Sequence, residues 1–204
     1  MITDERFLNL FNIYDAVERA VLAGAKVVQY RAKRKTAKEM LKEASLAKEA
    51  AKRHGALFIV NDRLDIALAV GADGVHLGQD DLPVEYAKEI AGKDFIVGLS
   101  THNLKQVKEA NGKKEFIDYI GFGPVFPTTT KENPDPATGV GALCEAVKVS
   151  ELPVVAIGGI FKENLKSVLS CRPAAVAVVR AVFEKGDIYT NVAELMSCLG
   201  GLET

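Results

Sequence analysis

Short runs of β-branched and other apolar residues recur along the chain, separated by stretches in which apolar residues return every three or four positions. The runs read as strands over Lys26–Ala32, Ala56–Asp62, Gly74–Gln79, Phe95–Thr101, Tyr119–Phe126, Pro153–Gly159 and Ala174–Val182, with a short stub at Met1–Asp4 opening the set. Between them, Ile13, Val17, Ala20 and Val21 share one helical face and Met40, Ala44, Ala47 and Ala51 another, while Lys and Glu fill the opposite sides. Strands apolar on both faces need cover on both faces, and the intervening helices supply it. The pattern predicts an α/β protein with a parallel sheet: a compact (β/α)8 TIM barrel, one domain over 1–204, whose first strand is short or truncated. A doubly wound open sheet is the structural alternative.

Composition narrows the partners. With 204 residues, 48% hydrophobic content and a formal net charge of -1, the chain can bury a substantial core and has no block of like charge. No aromatic residues interleave with basic clusters, which argues against a nucleic-acid surface and for a small-molecule partner. No apolar stretch is long enough for a membrane span, and the first residues lack a signal-peptide core. Cys144, Cys171 and Cys198 are odd in number and widely spaced, so they read as buried apolar residues of a cytoplasmic protein.

In a barrel of this kind, chemistry gathers in the loops after each strand. Gln29, Arg31 and Lys33 alternate with Val28, Tyr30 and Ala32, so the three polar side chains share one face at a strand end, and an Arg with a Lys suits a polyanion. Asn61 and Asp62 end the next strand and Asp81 follows the one after. Asp62 and Asp81 are candidate Mg2+ ligands, hard oxygen donors beside a phosphate; the plainer readings are a helix cap for Asp62 and a cap or turn before Pro83 for Asp81. His76 reads as a core histidine with no role. Ser100 is preferred over His102, which reads equally well as a turn residue. After Phe126, the segment PTTTKENPDPATGVGA is far longer than an ordinary βα loop and carries Thr128, Thr130 and Lys131, which suits a lid closing on phosphate. Gly158 and Gly159 can leave backbone N–H groups open to a phosphate, or can serve a tight turn.

Together VQYRAK, VNDRLDIALAVGADGVHLGQDD, GLSTHN, YIGFGPVFPTTTK and PVVAIGGI resemble the thiamine phosphate synthase family over nearly the whole chain. The resemblance implies coupling of a hydroxymethylpyrimidine diphosphate to a thiazole phosphate, with Mg2+ as cofactor. It assigns Arg31, Lys33, Asn61, Ser100 and Lys131 to the pyrimidine diphosphate, with Arg31, Lys33, Ser100 and Lys131 carrying the catalytic stabilisation. Asp62 and Asp81 fall to the metal, Gln29 to the pyrimidine, and Thr128, Thr130, Gly159, Val179 and Arg180 to the thiazole phosphate. The partners implied are these small molecules, with no nucleic acid and no membrane, and a homo-oligomer is compatible with the reading. Two departures from the family stand out: the beginning before Ile2–Asp4 is short, and Arg180 occupies a position where the family typically has Ser. A thiazole tautomerase of the same superfamily and a non-catalytic precursor-binding barrel are the alternatives; Asp62, Asp81, Lys131 and Pro124 argue against the tautomerase.

Overall fold

A computed structural model of the chain describes residues 1–8, 12–130, 135–184 and 186–200. Seven strands, β1 Val27–Tyr30, β2 Leu57–Asn61, β3 Gly74–Leu77, β4 Ile96–Thr101, β5 Tyr119–Phe122, β6 Val154–Ile157 and β7 Ala175–Ala177, lie in the sheet in chain order. Helices α1 Glu5–Leu8 and α2 Ile13–Leu22 precede β1. Then α3 Ala37–Arg53, α4 Leu64–Val70, α5 Val84–Ala91, α6 Leu104–Asn111, α7 Gly139–Val149 and α8 Lys162–Leu169 each follow a strand, and α9 Arg180–Phe183 and α10 Ile188–Gly200 come last. A doubly wound sheet reverses its strand order at a switch point. The order here never reverses, so the fold is TIM-barrel-like α/β with seven strands among the described residues.

Two compact units make up the chain, Met1–Val75 with Ala181–Thr204, and His76–Arg180. In the first, β1 and β2 pair in parallel, with Val28 opposite Phe58 and Tyr30 opposite Val60, and all four side chains are fully buried. The opening stub is reduced to one parallel bridge, Ile2 to Gln29, flanked by Thr3 N–H donating to the Gln29 carbonyl at 2.8 Å. Helix α3 starts where the sequence offers a capping box: Thr36 Oγ1 accepts from the Glu39 N–H, and the Glu39 carboxylate accepts from the Thr36 N–H at 2.8 Å. Its buried stripe is the expected one, Met40, Ala44, Ala47 and Ala51, with Ala50 added. The small alanines let the helix lie close against its neighbours, and the Met40 side chain contributes about 2 kcal/mol of burial. Gly55, at φ +75°, turns the chain into β2.

In the second unit, β4, β5, β6 and β7 run parallel, with Ser100 opposite Gly121, Phe122 opposite Ala156 and Ile157 opposite Ala177. Two strands are shorter than the hydrophobic pattern suggests. Strand β5 stops at Phe122 because Pro124 has no N–H to give a ladder, although Val125 and Phe126 still donate to the Ile157 and Gly158 carbonyls at 2.9 and 3.0 Å. Strand β7 stops at Ala177, and Arg180 opens α9.

The cysteines correct the sequence reading. Cys144 on α7 and Cys171 just after α8 form a disulfide, with Cα atoms 4.6 Å apart, and Cys198 is free. A separation of 27 residues looked like distance. In a chain that repeats helix and strand it spans one helix–strand–helix passage, which brings the middle of α7 beside the turn that ends α8. No helix among the described residues is long and apolar enough to cross a membrane.

Candidate active site

The first unit gathers charge at the ends of β1 and β2. Gln29 is buried, and the Arg31 side chain is 16% exposed with Nη1 3.4 Å from Asp4 Oδ2. Asp4 is itself buried and takes a two-pronged bond from Arg6, Nε to Oδ1 and Nη2 to Oδ2, each at 2.9 Å. Burial works to raise the Asp4 pKa, but hydrogen bonds from Arg6 and the nearby charges of Arg6 and Arg31 together hold it below its usual value. The Arg31 N–H donates to Thr3 Oγ1 at 3.0 Å, so the stub that contributes only one bridge to the sheet still fixes both ends of this arginine. Lys33 is more exposed and pairs with Asp62. Asp62 does not cap α4; Arg63 holds the capping position, and Asp62 sits at φ +61°, a left-handed conformation that Asp tolerates better than most residues. Asn61 ends β2 half-buried, its carbonyl accepting from the Arg63 N–H at 2.7 Å.

The second unit offers mostly hydroxyls, with Asp81 and Arg180 as its charged candidates among the described residues. Ser100, on β4, has its hydroxyl 2.9 Å from His76 Nε2, and its carbonyl accepts from Gln79 Nε2 at 2.6 Å. Asp81 Oδ2 accepts from the Gly78 N–H at 2.7 Å, closing the turn after β3 as the plainer sequence reading has it. His102 Nδ1 lies 2.6 Å from the Gly123 carbonyl oxygen, a bond that closes the strand end locally. Thr128 and Thr130 face each other with hydroxyls 3.1 Å apart, and the long loop that bears them is tied at its base, where Thr138 and Gly139 N–H groups donate to the Pro124 and Val125 carbonyls at 2.8 and 3.0 Å. Lys131 and Pro134 lie outside the described residues.

Gly158 and Gly159 have φ values of +99° and +63°, and a Cβ on either would collide with the Pro124–Pro127 segment, coming 2.5 Å from Pro124 Cα or 2.6 Å from the Pro127 carbonyl oxygen. Close packing therefore demands both glycines, whatever they bind. Asn164 then orders the turn into α8, donating to the Gly159 carbonyl at 2.9 Å and accepting from the Phe161 N–H at 2.8 Å. The Arg180 guanidinium lies over the Phe161 ring, 5.5 Å from its centroid, with Val179 half-buried beside it.

Residues 1–182 match the family model described as Thiamine monophosphate synthase. The chain belongs to that family. A protein of Persephonella marina named Thiamine-phosphate synthase is 49% identical over 199 residues, covering 98% of this chain and 94% of its own, and one from Dictyoglomus thermophilum with the same name is 43% identical over 187 residues, covering 92% and 83%. The solved structure of thiamine phosphate pyrophosphorylase from Pyrococcus furiosus superposes with a TM-score of 0.88 at 37% identity, covering all of this chain and 95% of that one.

Seen as a family member, the chain carries its expected site residues in two sets: Gln29, Arg31, Lys33, Asn61 and Asp62 in the first unit, and Asp81, Ser100, Thr128, Thr130, Gly159, Val179 and Arg180 in the second. Among the described residues no group of three or more His, Cys, Asp and Glu side chains comes together around a metal position. Sequence reasoning missed four contributors. Thr3 and Asp4 hold Arg31, and their signal was a buried polar pair in an otherwise apolar stub. His76 and Tyr119 back Ser100, and only the small residues opposite them, Gly98 and Gly121, hinted at the space they fill.

Proposed function

We propose that this chain is a thiamine phosphate synthase, coupling 4-amino-2-methyl-5-hydroxymethylpyrimidine diphosphate with a thiazole phosphate to give thiamine phosphate and diphosphate. The near full-length match to the Persephonella marina protein of that name carries the proposal. In the reaction the bond between the pyrimidine methylene and the diphosphate oxygen breaks, the electron pair leaves with diphosphate, and the thiazole nitrogen lone pair forms the new C–N bond. The protein's task is to stabilise charge on the leaving group and to hold the thiazole in line. No protein nucleophile is required, which agrees with a set of cations, amides and hydroxyls.

Arg31, Lys33, Asn61, Ser100 and Lys131 take the pyrimidine diphosphate in this reading, and Gln29 lies beside the pyrimidine. Arg31 is suited to the task because Asp4 and Thr3 hold it at both ends before substrate arrives. Thr128, Thr130, Gly159, Val179 and Arg180 serve the thiazole phosphate. Arg180, held over Phe161, supplies a positive charge where the family's Ser supplies a hydroxyl, so it pairs with the phosphate rather than obstructing it.

Asp62 and Asp81 are hard oxygen donors of the kind Mg2+ takes when substrate phosphate completes its shell, and both would exchange a present partner, Lys33 or the Gly78 N–H, for the ion. Mg2+ would supply charge neutralisation to the diphosphate. The reading also takes the chain as one cytoplasmic eight-stranded barrel domain over 1–204, with the stub as first strand. Supplying both substrates with Mg2+ and following diphosphate tests it: release with thiamine phosphate formation supports the synthase. Isomerisation of the thiazole phosphate alone would put the tautomerase in its place, and precursor binding without turnover a sensor.

A further inference from the structure

Ser100 is the front of a chain of three polar groups in the His76–Arg180 unit. Its hydroxyl lies 2.9 Å from His76 Nε2, and His76 Nδ1 lies 3.0 Å from the Tyr119 hydroxyl. The His76 ring is 9% exposed and sits 5.4 Å from the Tyr119 ring, centroid to centroid, at a tilt of 30°. Room for it is made by glycines on the next two strands, β4 and β5. A Cβ at Gly98 would lie 2.5 Å from His76 Nδ1 and closer still to the Tyr119 ring, and one at Gly121 would lie 3.2 Å from His76 Cε1.

A neutral imidazole has one donor nitrogen and one acceptor nitrogen. The relay can therefore run in two directions. In one, Tyr119 donates to Nδ1, Nε2–H donates to Ser100 Oγ, and the serine proton is left to point onward. In the other, Nδ1–H donates to the tyrosine oxygen and the serine proton is spent on Nε2, so Ser100 can only accept from whatever lies before it. An oxygen of an ionised diphosphate also only accepts, so Ser100 can bond it in the first direction and not in the second.

We propose that His76 and Tyr119 are positioning residues that fix the Ser100 hydroxyl as a hydrogen-bond donor to an anionic oxygen of the diphosphate substrate; the inference rests on the synthase reading and on Ser100's place in it. Gln79 completes the arrangement by holding the Ser100 carbonyl, so the backbone beneath the hydroxyl is fixed as well. A histidine that merely filled the core would be indifferent to the direction of the relay.

Two measurements test this. Nitrogen-15 NMR of the full chain without substrate should find His76 protonated at Nε2 and bare at Nδ1, and protonation at Nδ1 overturns the proposal whatever the enzyme turns over. In steady-state kinetics with both substrates and Mg2+, Tyr119→Phe should lower kcat/KM for the pyrimidine diphosphate about 10-fold, yet change it less than about 2-fold in a Ser100→Ala background, because the tyrosine acts only through the serine. His76→Gln, which keeps an amide donor near the Nε2 position, should retain most of the activity that His76→Leu loses. Equal effects of Tyr119→Phe in the two backgrounds, or none in either, overturn it. A wild-type protein with the Nε2–H tautomer that releases no diphosphate defeats the synthase reading instead.

Discussion

Asp73 and Asp118 do the same work in the two units. Each stands one residue before a strand, reaches to the second residue of the preceding strand, and exchanges two bonds with it: the carboxylate accepts from the Phe58 or Val97 N–H at 2.7 Å, and the aspartate N–H donates to the same residue's carbonyl at 2.9 or 2.8 Å. A lysine from a helix, Lys52 at 2.6 Å or Lys88 at 2.7 Å, completes each latch. At the other ends of the strands the likeness stops. The first unit ends its strands in Arg31, Lys33 and Asp62, full charges paired with each other or with Asp4, and the second follows β4 and β5 with the hydroxyls of Ser100, Thr128 and Thr130, while Asp81 closes the turn after β3. The strand starts are repeated where the fold is built, and the strand ends diverge where chemistry is done.

The widest predicted gap between the units is in how reduction affects them, since the Cys144–Cys171 link belongs to the second unit alone. Closing a loop of this length is worth about 3–4 kcal/mol by chain entropy. Cys144→Ser should therefore lower the urea midpoint markedly under oxidising conditions, and reductant should lower the wild type to the same value and leave the variant unmoved. Next comes the contrast of charged and neutral strand ends. Arg31→Ala should reduce kcat/KM for the pyrimidine diphosphate about 100-fold, and Thr128→Ala should cost the thiazole phosphate about 5-fold, from the difference between charge-assisted and neutral hydrogen bonds. Comparable losses would erase the distinction.

The latches should be matched in stability. Asp73→Ala and Asp118→Ala each leave a strand N–H without its acceptor, for about 1–3 kcal/mol, and equilibrium unfolding should give similar values for the two. A wide disparity would show that the repeated geometry does not carry equal weight. The smallest effect is in acid. Because the folded-state pKa of Asp4 lies below its ordinary value of 3.8, its contribution is fully present above that value and is lost as pH falls through the lowered one. Asp4→Asn should flatten that part of the stability profile and leave the neutral region parallel to the wild type.

Much of this was legible in the sequence. The 3.6-residue stripe of Met40, Ala44, Ala47 and Ala51 identified the buried face of α3, because periodicity acts within one element. The placement of Gln29 followed from alternation in the same way, and that of Asn61 and Ser100 from the end of an apolar run. What was not legible depends on neighbours far along the chain. His76 looked like core filler because nothing local shows that Ser100 and Tyr119 come to its two nitrogens from other strands. The opening stub was read only as a short first strand, since the pairing of Asp4 with Arg31 becomes visible only once Ile2 bridges to Gln29. Gly158 and Gly159 were read as an open phosphate turn or a tight turn, and their nearer cause is the segment packed against them.

The clearance around Gly98 also sets a boundary on how this scaffold can be altered. A single added methyl there meets an imidazole and a phenol ring at once. A laboratory library that randomises this position forces every member other than glycine to displace those two rings before any selection for a new substrate begins. Diversity has to be introduced at positions that do not face these two rings.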